Sequence, residues 1–251
     1  MQDNTGPGRN YRLIYPMPLG KDGIQHPVLS WGPGAGSTPD VYVTTLAHVA
    51  SHGFVVLSYN ATPQGKELTD AIDWFVAQNQ ASDGMLSGKL DTAHVAVGGH
   101  SAGSLATFVV ASDMRITTTV HMSGGTFSPH TDVKNLRAPA VFLCGKSPMG
   151  SDDGLTTGDL ADPNCKIDFM NATTAVFYGS LKTGSHVSLI DVPGIGPSAD
   201  DPTKLKFIGA MVGWLRWKLA GDESLKAMFV GDDCTLCQPN SGWTVQQKNL
   251  P

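Results

Sequence analysis

Apolar residues in this chain fall into two recurring patterns, and the two take turns. Residues 54–59 (Phe-Val-Val-Leu-Ser-Tyr) are almost continuously apolar, as a strand covered on both faces would be. Residues 26–31, 94–98 and 140–145 are also rich in apolar residues, and 117–122 (Thr-Thr-Thr-Val-His-Met) make the next strand predicted. Residues 11–17 alternate instead, with Tyr11, Leu13 and Tyr15 on one side, and 174–178 make the last core strand predicted. Between these runs the spacing changes to three and four. Residues 40–52 place Val41, Leu46, Val49 and Ala50 on one helical face and stop at Gly53. Residues 66–78 do so with Leu68, Ile72, Phe75 and Val76, and residues 105–111 form a further apolar helix. A final helix over 203–219 carries Leu205, Ile208, Met211, Val212 and Leu215. Strands that alternate with helices predict an α/β fold, a mostly parallel sheet with helices on both faces. The chain reads as a single domain, 1–251, with a core over about 11–220 and a polar tail over 221–251.

Charge narrows the partners. A net charge of −5, with no basic block or stripe, argues against nucleic acid. No apolar run is long enough to span a bilayer, and a monomer is expected. The first eight residues, polar and bearing Gly6, Pro7 and Gly8, match neither a signal nor a transit peptide. They suit a secreted or periplasmic protein whose signal peptide has been removed, an intact cytosolic start being the alternative. Cys144, Cys165, Cys234 and Cys237 allow three pairings, of which Cys144–Cys165 and Cys234–Cys237 are the expected ones. The C-x-x-C at 234–237 lacks the further ligands that zinc needs and the strand-to-helix setting of redox pairs, so neither a metal nor a cofactor is expected.

The chemistry centres on Gly99-His100-Ser101-Ala102-Gly103. This G-x-S-x-G follows an apolar strand and precedes an apolar helix, the setting of a nucleophile elbow. Serine needs a base and, through it, an acid. In the order Ser, acid, His, the histidine must follow Ser101, which leaves His121, His130 and His186. His121 lies within a strand, where packing explains it. His130 has no acid-bearing strand before it. His186 lies just after the last predicted strand and is the expected base. The acid belongs between 145 and 186, where Asp152, Asp153, Asp159, Asp162 and Asp168 are found. Asp153 is the first choice, Asp152 and then Asp159 the alternatives, because 152 and 153 lie nearest the strand end. An oxyanion hole would take the Ala102 amide and a donor from the loop after residues 28–31, where Ala35 ranks first and Gly34 second.

With these residues the chain resembles the α/β-hydrolase superfamily. Within it the likeness is to the lidless bacterial cutinase and polyester-hydrolase group, which grades into dienelactone-hydrolase-like esterases. It is carried by residues 26–34, by 46–56 with their Ala-Ser-His-Gly-Phe-Val-Val, and by 90–103, while Gly184-Ser185-His186 matches the loop of that group's histidine. The likeness runs from about 11 to 219. It implies an α/β-hydrolase fold without a cap domain and a serine carboxylic-ester hydrolase that forms an acyl-enzyme on small esters or polyesters. That group often carries Met after the serine and an aromatic residue in the oxyanion loop, where this chain has Ala102 and Ala35. Two other functions fit the same residues: a non-catalytic binding protein on a hydrolase fold, and an amidase or peptidase using the same triad. Too few residues separate 122 from 140 for an inserted lid, so an open groove without interfacial activation is expected.

Overall fold

The computed structural model of the protein describes residues 1–147 and 162–251. Nine strands form one sheet: β1 (Gln2–Thr5), β2 (Tyr11–Ile14), β3 (His26–Gly32), β4 (Val55–Tyr59), β5 (Leu90–His100), β6 (Ile116–Met122), β7 (Ala140–Ser147), β8 (Val176–Ser185) and β9 (Trp243–Lys248). Their order across the sheet is β1-β2-β4-β3-β5-β6-β7-β8-β9. Every pairing from β4 through β3, β5, β6 and β7 to β8 is parallel, and the pairings at the two margins are antiparallel.

The helices are α1 (Val43–Ser51), α2 (Lys66–Gln80), α3 (Ala102–Val110), α4 (Asp162–Asn171) and α5 (Pro202–Lys218). They divide between the faces as strand alternation requires. On β4, Val56 packs with α1 and α5, through Leu46, Val49, Ile208 and Met211. Its neighbours Val55 and Leu57 pack on the opposite face with Leu68, Ile72 and Phe75 of α2. Consecutive side chains point to opposite faces, so a strand between two helical layers is apolar at nearly every position. A third cluster joins Phe108 of α3 to Phe142 of β7 and to Cys165 and Phe169 of α4. Between β6 and β7 only a short 3-10 turn, Asp132–Asn135, interrupts the described loop, and no lid is built there.

Three expectations change. The tail is not merely polar: residues 243–248 form β9, which pairs antiparallel with β8 from Val176↔Lys248 to Leu181↔Trp243. Trp243 supplies the apolar contact, its ring 5.3 Å from that of Phe207 on α5. Only one side of β9 is buried, so the segment lacks the continuous run that marks the inner strands. On α5 Ile208, Met211, Val212 and Leu215 are buried as predicted, but Leu205 is 42% exposed and the buried face also takes in Lys204, at 0%. Lys204 is tolerated inside because its ammonium donates to Asp191 Oδ1 at 2.6 Å and to the Ile190 carbonyl at 2.9 Å. Finally, α4 was not predicted, its pattern of apolar residues being too weak to show a helical face.

Both expected disulfides are present, Cys144–Cys165 and Cys234–Cys237. The first closes a span of 21 residues between β7 and α4. By loop-closure entropy such a bridge contributes about 3 kcal/mol. Replacing Cys144 and Cys165 together by alanine should therefore lower the Tm by about 6–12 °C, at about 2–4 °C per kcal/mol for a chain of this size. Opening Cys234–Cys237, whose separation is 3, should move it far less. Calorimetry of the two double variants measures the difference.

Candidate active site

Ser101 sits where β5 hands over to α3, with φ 54° and ψ −119°. Positive φ is costly for a residue with a side chain, of the order of 1–3 kcal/mol, and is kept only where surrounding contacts impose it. Here they do. The Ser101 amide donates to the Met122 carbonyl on β6 at 3.0 Å, and its carbonyl accepts from Ser104 and Leu105 of the first helical turn. The helix must also cross β3 at close quarters. A Cβ on Gly103 would run into the Gly32 carbonyl, and one on Gly99 into the backbone of Gly103. Both motif glycines are thus required by contact between backbones.

His186 follows β8 directly, and its Nε2 lies 2.9 Å from Ser101 Oγ. Residues 85 apart meet because β8 ends beside the elbow and the chain turns back at once. The Ser185 amide donates to Ser188 Oγ at 2.8 Å, and the Ser188 amide to the Ser185 carbonyl at 3.1 Å. Asp191 fastens the far side of this turn. Its amide donates to the Val41 carbonyl at 2.7 Å, and its carboxylate accepts from the Thr44 amide in the first turn of α1 and from Lys204. A carboxylate at a helix N-terminus and an otherwise buried ammonium satisfy each other there. Burial lowers the pKa of His186 below the ordinary imidazole value, and a hydrogen bond to the Ser123 backbone partly offsets this. The ring is held neutral, the state that can take a proton from serine.

Ala35 lines the same cavity of about 430 Å3 as Ser101 and His186, with Val41, Ile190 and Val192 as its apolar walls. Its two loop neighbours have committed amides: Gly34 donates to the Tyr42 hydroxyl at 3.0 Å and Gly36 to Thr62 Oγ1 at 2.9 Å. Among the described residues nothing accepts from the Ala35 amide. The same holds for Ala102, the first residue of α3, whose amide is one of those a helix leaves unpaired. The amide of Gly34, the second choice for the loop donor, is thus bonded to Tyr42, whereas that of Ala35 is not. A second groove of about 420 Å3 is lined by Ala102 together with Pro63, Leu105, Val109, Phe127 and Pro129.

Asp152, Asp153 and Asp159 lie outside the described residues. Backbone register nevertheless shows where that segment departs: Ser147, the last residue of β7, pairs with Ser185, next to His186. Asp168 does not face His186. It is buried on α4, where it accepts from the amide and hydroxyl of Thr126 and pairs with His130 Nδ1 at 3.3 Å. His130 is thereby accounted for. His121 is buried too, stacked on Phe108 with ring centres 3.8 Å apart and bonded to Ser104 Oγ at 3.1 Å. Burial drives its pKa down to about 3. Two further polar residues of the site, Tyr42 and His100, carry no recognisable signal in the sequence, since they become neighbours only through the fold. His100 Nδ1 is 2.8 Å from the Tyr42 hydroxyl, and burial with the nearby His186 lowers its pKa to about 3. Among the described residues no three His, Cys, Asp or Glu side chains converge as a metal site would require.

A parallel sheet between helical layers, with a strained serine at the strand-to-helix turn and a histidine from the end of a later strand, is the α/β-hydrolase fold, and the protein is of that class. Within the class, the family model described as PETase, PET hydrolase-like, matches residues 40–152. The match takes in the elbow and ends before His186. A comparison with curated proteins gave no match.

Since burial lowers the pKa of His186, the acid limb of kcat/KM for a non-ionising ester should lie below the ordinary value of 6.5. Activity is lost as pH falls through that pKa, because the protonated ring cannot accept the serine proton. A pH profile with its acid limb above 6.5 would contradict this.

Proposed function

We propose that the protein is a secreted or periplasmic serine hydrolase of carboxylic esters, working through Ser101, His186 and Asp153 and an acyl-enzyme. The observation that carries the reading is the 2.9 Å contact between His186 Nε2 and Ser101 Oγ at a strained elbow. In this reading Ser101 Oγ attacks the ester carbonyl carbon while its proton passes to His186 Nε2. The carbonyl oxygen becomes an anion held by the amides of Ala35 and Ala102, the two whose hydrogens find no acceptor among the described residues. As the anion collapses, the bond to the alkoxy oxygen breaks and His186 returns the proton to the leaving alcohol. Water then repeats the sequence on the acyl-enzyme and frees the acid. No cofactor takes part.

Asp153 is assigned the acid, holding the imidazole with its proton on Nδ1. The departure of its segment from beside Ser185 supports this assignment. Esters are preferred to amides because the matched family is one of polyester hydrolases. Two grooves with apolar walls, one lined by Ser101 and the other by the adjacent Ala102, suit a substrate with apolar groups on both sides of the carbonyl, an aliphatic ester or a polyester segment. The two disulfides fit an oxidising compartment.

Ser101→Ala should abolish p-nitrophenyl ester turnover and fluorophosphonate labelling, with a loss of about 10⁶ in kcat and an unchanged melting curve. Turnover near that of the unmodified protein would sink the proposal. Asp153→Asn should lower kcat by roughly 10⁴, the loss seen when the wrong tautomer faces the serine, while Asp152→Asn does little. If Asp152→Asn is the damaging change, the acid moves by one residue. If neither matters, Asp159 is next in line.

A further inference from the structure

Every proton around His100 can be assigned. Its Nε2 lies 2.7 Å from the His186 carbonyl, which can only accept, so Nε2 carries the hydrogen. Nδ1 is then the acceptor, and the Tyr42 hydroxyl at 2.8 Å must donate to it. That hydroxyl in turn accepts from the Gly34 amide at 3.0 Å. Ser37 Oγ, 3.3 Å from Tyr42, gives its own proton to the Gly34 carbonyl at 2.8 Å. All directions are therefore fixed: Gly34 N–H to Tyr42, Tyr42 O–H to His100, His100 N–H to His186.

This line of bonds connects three segments distant in sequence, and it is dry. Tyr42 is 1% exposed and His100 3%. Tyr42 stands at the end of the 3-10 helix Pro39–Tyr42, with its ring edge-on to Trp31, 5.9 Å between centres. The His100 ring lies 4.8 Å from that of His186. Gly34 packs so close to Tyr42 and His100 that a Cβ there would come within 3.0 Å of the Tyr42 hydroxyl oxygen and 3.3 Å of Ser101 Cβ.

We propose that Tyr42 is a positioning residue. Through one hydroxyl it braces the loop that presents the Ala35 amide against the ring beside Ser101 and, through that ring, against the backbone of His186. By engaging the Gly34 amide it leaves Ala35 as the donor of that loop, and it fixes the distance between this donor and the base. This rests on the assignment of Ser101, His186 and Ala35 above. In low-dielectric surroundings such linked hydrogen bonds set geometry strongly, and loss of one member unsettles the rest.

Tyr42→Phe keeps the ring and removes the hydroxyl. It should lower kcat for a short-chain p-nitrophenyl ester about tenfold, less than the 10²–10³ of deleting an oxyanion donor outright, with KM within about twofold. Phosphonylation of Ser101 by a fluorophosphonate should slow in parallel. His100→Gln, which can still donate to the His186 carbonyl, should cause a loss of similar size. The double variant should be no slower than the slower single, because both break one line of bonds. Unchanged kcat in Tyr42→Phe, a loss confined to KM, or losses that multiply in the double variant would overturn the proposal. If Tyr42→Phe fails to fold, His100→Gln decides, and unchanged kcat in it has the same force. An unmodified protein that is not labelled at Ser101 would instead overturn the hydrolase reading itself.

Discussion

The contact on which the site depends is the crossing of α3 over the end of β3, where the backbone of Gly103 lies against the carbonyl of Gly32. Nothing larger than hydrogen fits between them. The close approach lets the helix begin immediately after the strand, which forces Ser101 into the left-handed region and lifts its side chain clear of the sheet. It also brings the loop after Gly32 beside the first turn of α3, so that Ala35 lines the same cavity as Ser101. The strain at Ser101 is sustained by three backbone hydrogen bonds and by two packed helical layers.

Around that crossing two buried or half-buried ionisable pairs are each bonded to a neighbouring loop. Lys204 and Asp191 are buried together behind the His186 turn. Asp168 and His130 are joined through Thr126 behind the second groove. Neither pair touches Ser101. The first is bonded to the loop that follows His186, the second to the stretch that carries Phe127. Loops that carry groove residues are thus held by paired ionisable groups, and the groove linings mix apolar side chains with the polar ones of the site.

The inner strands were legible where a doubly covered strand is apolar at nearly every position, as 54–59 are. Ser101 was legible because G-x-S-x-G between a strand and a helix has a mechanical meaning. His186 followed from chain order and from its place after a strand. Less visible were features decided by long-range pairing. β9 is half-exposed and patterned weakly, so only its hydrogen bonds to β8 define it. Lys204 reads as a surface residue until Asp191, brought in by a loop, neutralises it. Tyr42 and His100 look like ordinary helix and motif residues, and their meeting depends on a separation of 58 residues in sequence. The choice among aspartates rested on sequence distance from a strand end. That criterion is indifferent to direction, and it offered no way to see that Asp168 faces Thr126.

The marginal position of β9 has a consequence for how the protein is made. β8 leads directly into His186, and among the described residues its outer edge is paired by 243–248. During synthesis every other strand of the sheet precedes that cover, so an emerging chain holds a serine elbow and an incompletely shielded histidine strand until Trp243 arrives. An uncovered strand is the part of a sheet most open to pairing with another chain. The segment that takes no part in the proposed chemistry therefore ends the interval in which this edge of a nascent chain is open to pairing.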